Sequence, residues 1–205
     1  MRDIGRLVLV LSLIGVISAG TLAYVRAALD ARIEHQEDLH VRGPALSRLF
    51  ARPAPDLLAN KLAFRAGGRE YPVFYLDDGG QVDRLAVEAA GRGGYGGDVV
   101  VMIGLDLARR TLIGVEIVSH HETPGVGARI ERESFRAQWT GLALDEPVAL
   151  RSAGGDLDAI SGATFSSRAM VDGTNQVIEL LRDHADEIVE LAAGGERPAR
   201  AKGGS

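Results

Sequence analysis

Cysteine is absent from the 205 residues. That excludes disulfides, thiolate metal sites, cysteine-ligated iron–sulfur clusters and c-type haem attachment. Aromatic residues make up 5% of the chain, so a core must be packed with Val, Leu, Ile and Ala. Basic residues do not dominate: 23 Lys and Arg stand against 28 Asp and Glu, a formal net charge of −5, which argues against nucleic acid as a partner. The glycines at 91–97 lead into a strand pattern rather than a helix, and that disfavours a dinucleotide-binding fold. The length allows one domain with a core, plus appendages.

What is present begins with Leu7–Val25, a run without a charge. At 1.5 Å per residue it spans roughly 28 Å, the thickness of a bilayer's hydrocarbon core. Tyr24 falls where an interfacial aromatic is expected, and Gly15 and Ala19 form a small-xxx-small pair. A cleaved signal peptide is the rival reading, with Leu7–Ile17 as its apolar region and Ser18-Ala19-Gly20 as its cleavage site. The run continues past Gly20 to a full membrane width, which favours an anchor. Residues 1–6 are then a cytoplasmic N-terminus, 7–25 a transmembrane helix, 26–56 a stalk that begins as a helical continuation, 57–193 a soluble domain and 194–205 a disordered tail.

Within the soluble domain, Tyr71–Leu76, a turn at Asp77–Gly80 and Gln81–Ala89 predict a β-hairpin. Pro72 predicts an edge strand or an interruption. Asp98–Leu105 and Thr111–Ser119 form a second strand pair around a short turn, so the pairing is antiparallel. Glu133–Trp139 reads as a short helix with Trp139 in the core, and Leu142–Leu150 as a connection and short strand. Met170, Val171, Val177, Ile178, Leu181, Ile188 and Val189 recur at helical spacing, so a long helix packs on the sheet. The fold class is α+β: an antiparallel sheet with packing helices, preceded by one transmembrane helix.

Two stretches carry chemistry. In Asp158-Ala159-Ile160-Ser161-Gly162-Ala163-Thr164 a turn-forming, hydroxyl-bearing segment enters that long helix. Gly162 and Ala163 leave the backbone accessible, and Ser166 or Ser167 can cap the helix. The helix's first amides and positive dipole end favour a phosphate, with the Thr164 hydroxyl at the same point. The second stretch is His120-His121-Glu122-Thr123-Pro124-Gly125-Val126-Gly127. Adjacent histidines on a strand point to opposite faces, and no HExxH is present, so no metal ligands are assigned. Its Pro and Gly residues instead shape a loop that offers backbone groups to a flat ligand.

Asp-x-x-Ser-Gly-Ala-Thr resembles the flavinylation motif of the FMN-binding domain family shared by Rnf- and Nqr-type respiratory complexes. The second stretch resembles the His-x-Glu-Thr-Pro-Gly-Leu-Gly signature of the G subunit in Rnf-type complexes, with Val126 in place of Leu. Gly94-Tyr95-Gly96-Gly97 is similar to the Gly-Tyr-x-Gly before the corresponding strand. The resemblance implies FMN joined through its phosphate to Thr164 by a flavin transferase, with Asp158, Ser161, Gly162 and Ala163 completing the motif. It implies that Glu122, Thr123, Pro124, Gly125 and Tyr95 border the flavin, and that no residue is a catalytic base. It also implies an electron-transfer subunit of an ion-translocating ferredoxin:NAD oxidoreductase, held beside other subunits in the inner membrane with its FMN domain outside. A subunit of the Nqr C type, a membrane-anchored module holding a phosphate ligand noncovalently, and an independent flavoprotein reductase are the alternatives.

Overall fold

The computed structural model describes residues 2–77 and 81–194. The expected turn at 78–80 and the expected tail beyond 194 lie outside the described residues. The chain divides into a unit ending at Val41 and a domain beginning at Arg42. In the first, one helix, α1, runs unbroken over Arg2–Glu37. Its Ile4–Leu29 segment contains an 18-residue stretch with a mean hydropathy of 2.2 and is long and apolar enough to cross a membrane.

The domain is built on five antiparallel strands in sequential order: β1 Lys61–Ala66, β2 Arg69–Leu76, β3 Arg84–Gly91, β4 Val99–Asp106 and β5 Thr111–Ser119. Short turns between consecutive strands make this meander the direct outcome of the chain order. Both sheet faces are covered. A short helix, α4 (Glu133–Arg136), precedes a long one, α5 (Thr164–Gly194). Val73, Val87, Val101 and Ile103 pack toward α5 and bury Met170, Val177, Ile178 and Leu181. Phe74, Ala86 and Met102 point the other way, against Ala45, Leu46, Phe50 and Leu57. These last residues belong to α2 (Gly43–Phe50) and α3 (Ala54–Leu58). Two covered faces explain why β4 reads as an unbroken apolar run instead of an alternating one.

The expected hairpin pairs Val73 with Val87 and Leu76 with Arg84. β2 is an interior strand, yet its ladder with β3 ends at Val73, next to Pro72, which has no N–H to donate. Pro72 therefore marks an interruption and not an edge. β1 and α2 are additions to the elements expected from sequence. Gly43-Pro44 starts a helix, with Pro in its tolerated first-turn position, instead of breaking one. Arg42 Nε donates to Glu88 Oε2 at 2.6 Å, and both side chains are nearly buried, at 12% and 11% exposure. Arg48 Nε donates to Glu116 Oε2 on β5 at 2.7 Å. Residues 42–56, expected in a stalk, thus include a helix fastened to the sheet. Leu142–Leu150 forms only isolated bridges, Thr111 with Ala143 and Leu150 with Leu157.

α5 sets the site, because its first turn ends at the rim of the sheet. Gly173 weakens the helix intrinsically by about 1 kcal/mol. Its reason is contact: a Cβ there would stand 2.7 Å from Val101 Cγ2, and one on Gly91 would stand 1.8 Å from Ala169 O. The two glycines let β3 and α5 meet backbone to backbone.

Candidate cofactor cleft

Two loops and one helix end converge. β5 ends at Ser119, the loop from His120 leads into a 3₁₀ turn at Gly127–Glu131, and α5 begins at Thr164. Tyr95, Glu122, Thr123, Val126, Gly127, Gly162, Ala163, Phe165 and Ser166 line a cleft of about 250 Å³. The two sequence motifs therefore share one cleft, with Tyr95 from the glycine-rich segment before β4.

Glu122 is the knot that ties these segments together. It is 5% exposed. Ser166 Oγ donates to its Oε2 at 2.7 Å, and Gly96 N donates to its Oε1 at 3.3 Å. A Cβ on Gly94 would come within 2.5 Å of Oε1, and one on Gly127 within 2.4 Å of Oε2. The carboxylate thus replaces side-chain packing where three glycine-containing segments meet. Its charge lies beside the first turn of α5, where the helix dipole favours an anion.

The motif loop is braced from outside the cleft. Gln138 clips the Asp158 backbone: Asp158 N donates to Gln138 Oε1 at 2.6 Å and Gln138 Nε2 donates to Asp158 O at 3.4 Å. The Asp158 carboxylate turns to solvent and pairs with Arg151 Nε at 2.8 Å, both side chains 67% exposed. The expectation that Ser166 or Ser167 caps α5 is corrected, because the helix starts at Thr164, ahead of both. Ser167 Oγ instead accepts from Ile160 N at 3.0 Å and donates to Ala163 O at 3.0 Å. It staples the loop to the helix's first turn. Gly125 and Gly162 adopt positive φ, 76° and 80°, as their loops require.

Thr164 opens α5 and is half-buried; it does not itself line the cleft but stands between Ala163 and Phe165, which do. Ser161, Pro124 and Gly125 are exposed in the two loops but do not line the cleft, and neither does Asp158. Val126, Gly127, Phe165 and Ser166 do line it, though none is among the flavin contacts that the resemblance implies. Phe165 does carry a signal, since a large apolar residue one position into an exposed helix start needs a partner. Trp139, expected in the core, is fully buried. Among the described residues no group of three or more His, Asp or Glu is placed to hold a metal.

A larger cleft of about 400 Å³ opens where β2 parts from β3, lined by Arg69, Pro72, Glu88, Ala90 and Gln176 among others. None of the motif residues borders it. Gln176 Nε2 donates to the carbonyl of Ala90 at 2.9 Å and Arg69 Nη1 donates to Gln176 Oε1 at 2.6 Å, so side chains stand in for the missing ladder.

The smaller cleft suits FMN on two counts. Among the described residues beyond Val41, the large apolar side chains left exposed are Tyr95, Val126, Phe165 and Leu191, and the first three stand at this cleft. A flat, apolar ring system covers such a patch. The opening turn of α5 offers backbone amides without intrahelical partners.

Comparison with known proteins points the same way. Residues 94–179, which include every cleft-lining side chain, match the FMN-binding domain family. The chain is 27% identical to the G subunit of the ion-translocating oxidoreductase complex of Shewanella piezotolerans, over 92% of this chain and 94% of that one. To the protein of the same name from Haemophilus influenzae it is 34% identical over 58% of this chain and 60% of that one. A crystal structure of Shewanella oneidensis NqrC is similar at a TM-score of 0.49, with 22% identity over 58% of this chain and 61% of that one. The resemblance read from the two motifs is borne out, as is the α+β FMN-binding fold.

Proposed function

We propose that this chain is an electron-transfer subunit of a membrane-bound, ion-translocating oxidoreductase complex of the Rnf type, with FMN in the cleft and its phosphate esterified to Thr164. The observation that carries the reading is the meeting of both motifs at the first turn of α5, beside exposed Tyr95, Val126 and Phe165. FMN supplies one- and two-electron redox chemistry when bound. The chain's own residues bind and orient it. Tyr95 and Phe165 offer apolar surface to the ring, the Thr123–Gly127 loop offers backbone groups to its polar edge, and the first amides of α5 receive the phosphate. Glu122 holds these parts together and does not act as a base.

Thr164 is a tether. Its hydroxyl is used once, when a flavin transferase forms the phosphoester, and the net change is FMN added with one water lost. Covalent attachment keeps an exposed cofactor from escaping into a dilute compartment. The apolar segment of α1 anchors the domain in the inner membrane, with the FMN domain on the outer side, and confines it near the complex's other carriers. Ferredoxin:NAD oxidoreduction belongs to the assembled complex, and this subunit passes electrons within it.

Titration of the purified full chain, produced without flavin transferase, tests the cleft directly. FMN fluorescence should be quenched on binding, and riboflavin, which lacks the phosphate, should bind about tenfold less tightly. Saturable binding of neither flavin contradicts the reading. Inorganic phosphate binding alone moves it to a phosphate-ligand module.

A further inference from the structure

His120 stands at the end of β5, and its ring is held at both nitrogens. Glu122 N lies 3.0 Å from Nδ1, and Glu131 Oε1 lies 2.9 Å from Nε2. A backbone N–H can only donate, so Nδ1 must present a lone pair. The ring proton then sits on Nε2, where it donates to the Glu131 carboxylate. An imidazolium, protonated at both nitrogens, could not accept from Glu122. The side chain of His120 is 11% exposed while that of Glu131 is 62% exposed, so the pair's value is geometric more than Coulombic.

Those two bonds span the cleft loop. Glu122 lies two residues after His120, and Glu131 is the last residue of the 3₁₀ turn that closes the loop. One ring therefore fastens both ends of the segment that presents Glu122, Thr123, Val126 and Gly127 to the cleft. With the Glu122 backbone fixed, its carboxylate reaches Ser166 Oγ and Gly96 N across the domain. His121, the adjacent histidine, is exposed.

We propose that His120, as the neutral tautomer protonated on Nε2, is a positioning residue that clasps the Glu122–Gly127 loop and so forms the wall of the flavin cleft. The inference rests on the FMN reading for its functional meaning and on geometry for its structure. It assigns unlike roles to two adjacent histidines, which sequence cannot separate.

The test compares His120→Ala, His120→Asn, His120→Gln and His121→Ala in the full chain, titrated with FMN before covalent attachment. Asn places Oδ1 where Nδ1 was and keeps the acceptor for Glu122 N, whereas Gln reaches the Nε2 position and loses that acceptor. His120→Ala should weaken FMN binding about tenfold; His120→Asn and His120→Gln each keep one end of the clasp and should fall between, with Asn, which holds Glu122 N, the tighter, and His121→Ala should stay within about threefold of the parent. A His120→Asn variant as weak as His120→Ala, or a His120→Ala variant that binds like the parent, overturns the proposal. Two readouts need no flavin and serve if His120→Ala fails to fold. Nitrogen-15 NMR of the parent should place the ring proton on Nε2, and hydrogen exchange should find the Glu122 amide protected in the parent and in His120→Asn. A proton on Nδ1, or an unprotected Glu122 amide, overturns the clasp. A parent chain that binds no flavin removes the FMN reading and leaves these two readouts to decide the clasp.

Discussion

Replacing Trp139 by alanine is expected to destabilise the domain by about 3–5 kcal/mol, the range for deleting a fully buried Trp or Phe. The indole is 0% exposed. It makes an edge contact with Phe135 at 5.2 Å between centroids, and its Nε1 donates to Thr174 Oγ1 on α5 at 2.9 Å. Thr174 keeps its own bond to the Met170 carbonyl, so the loss is chiefly packing and the cavity left behind. Trp139→Phe fills most of that volume and should cost about 1–2 kcal/mol, mainly through the lost hydrogen bond. Urea unfolding followed by circular dichroism measures both. The effect reaches the site as well, because Gln138, which clips Asp158, is the preceding residue of the same 3₁₀ turn. An alanine variant as stable as the parent would refute the core role of Trp139.

Glu122→Ala is expected to lower FMN affinity more than tenfold and stability by about 1–3 kcal/mol. Removing the carboxylate leaves the buried Ser166 hydroxyl without its acceptor, at about 1–3 kcal/mol for a buried group left unsatisfied, while the Gly96 amide, on an exposed residue, can turn to water. Glycines at 94 and 127 have no side chains to close the gap. Glu122→Gln separates charge from geometry. Its amide oxygen can accept from Gly96 N while its NH₂ donates to Ser166 Oγ, whose own proton then loses its acceptor, so it should fall between alanine and the parent in both measurements. A Gln variant equal to the parent in stability and FMN affinity would show that one acceptor suffices.

Much of the fold is legible in the sequence because burial leaves a local imprint. Asp98–Leu105 and Thr111–Ser119 read as strands because β4 and β5 are packed on both faces, and the long amphipathic helix reads from its spacing. β1 is hard to see because Leu62 and Phe64 alternate within a short segment ending in charged residues. α2 is ambiguous because Gly43-Pro44 marks either a break or a helix start, and only the sheet face it covers decides. The start of α5 reads three or four residues late for a related reason: hydroxyls suggest caps, but Ser167 is used to staple the loop behind it. Both motifs are visible in the sequence. What joins them, a hydrogen bond between Ser166 and Glu122, separated by 44 positions, carries no local signature. The different fates of His120 and His121 depend likewise on contacts made after the strand ends.

The most direct test of the account is the intact mass of the denatured full chain after production with an active flavin transferase, followed by peptide mapping. The account predicts a gain equal to FMN less one water, on the peptide containing Thr164, and its complete loss in Thr164→Ala with the fold retained. An unmodified parent chain, or an alanine variant that still carries covalent flavin, contradicts it.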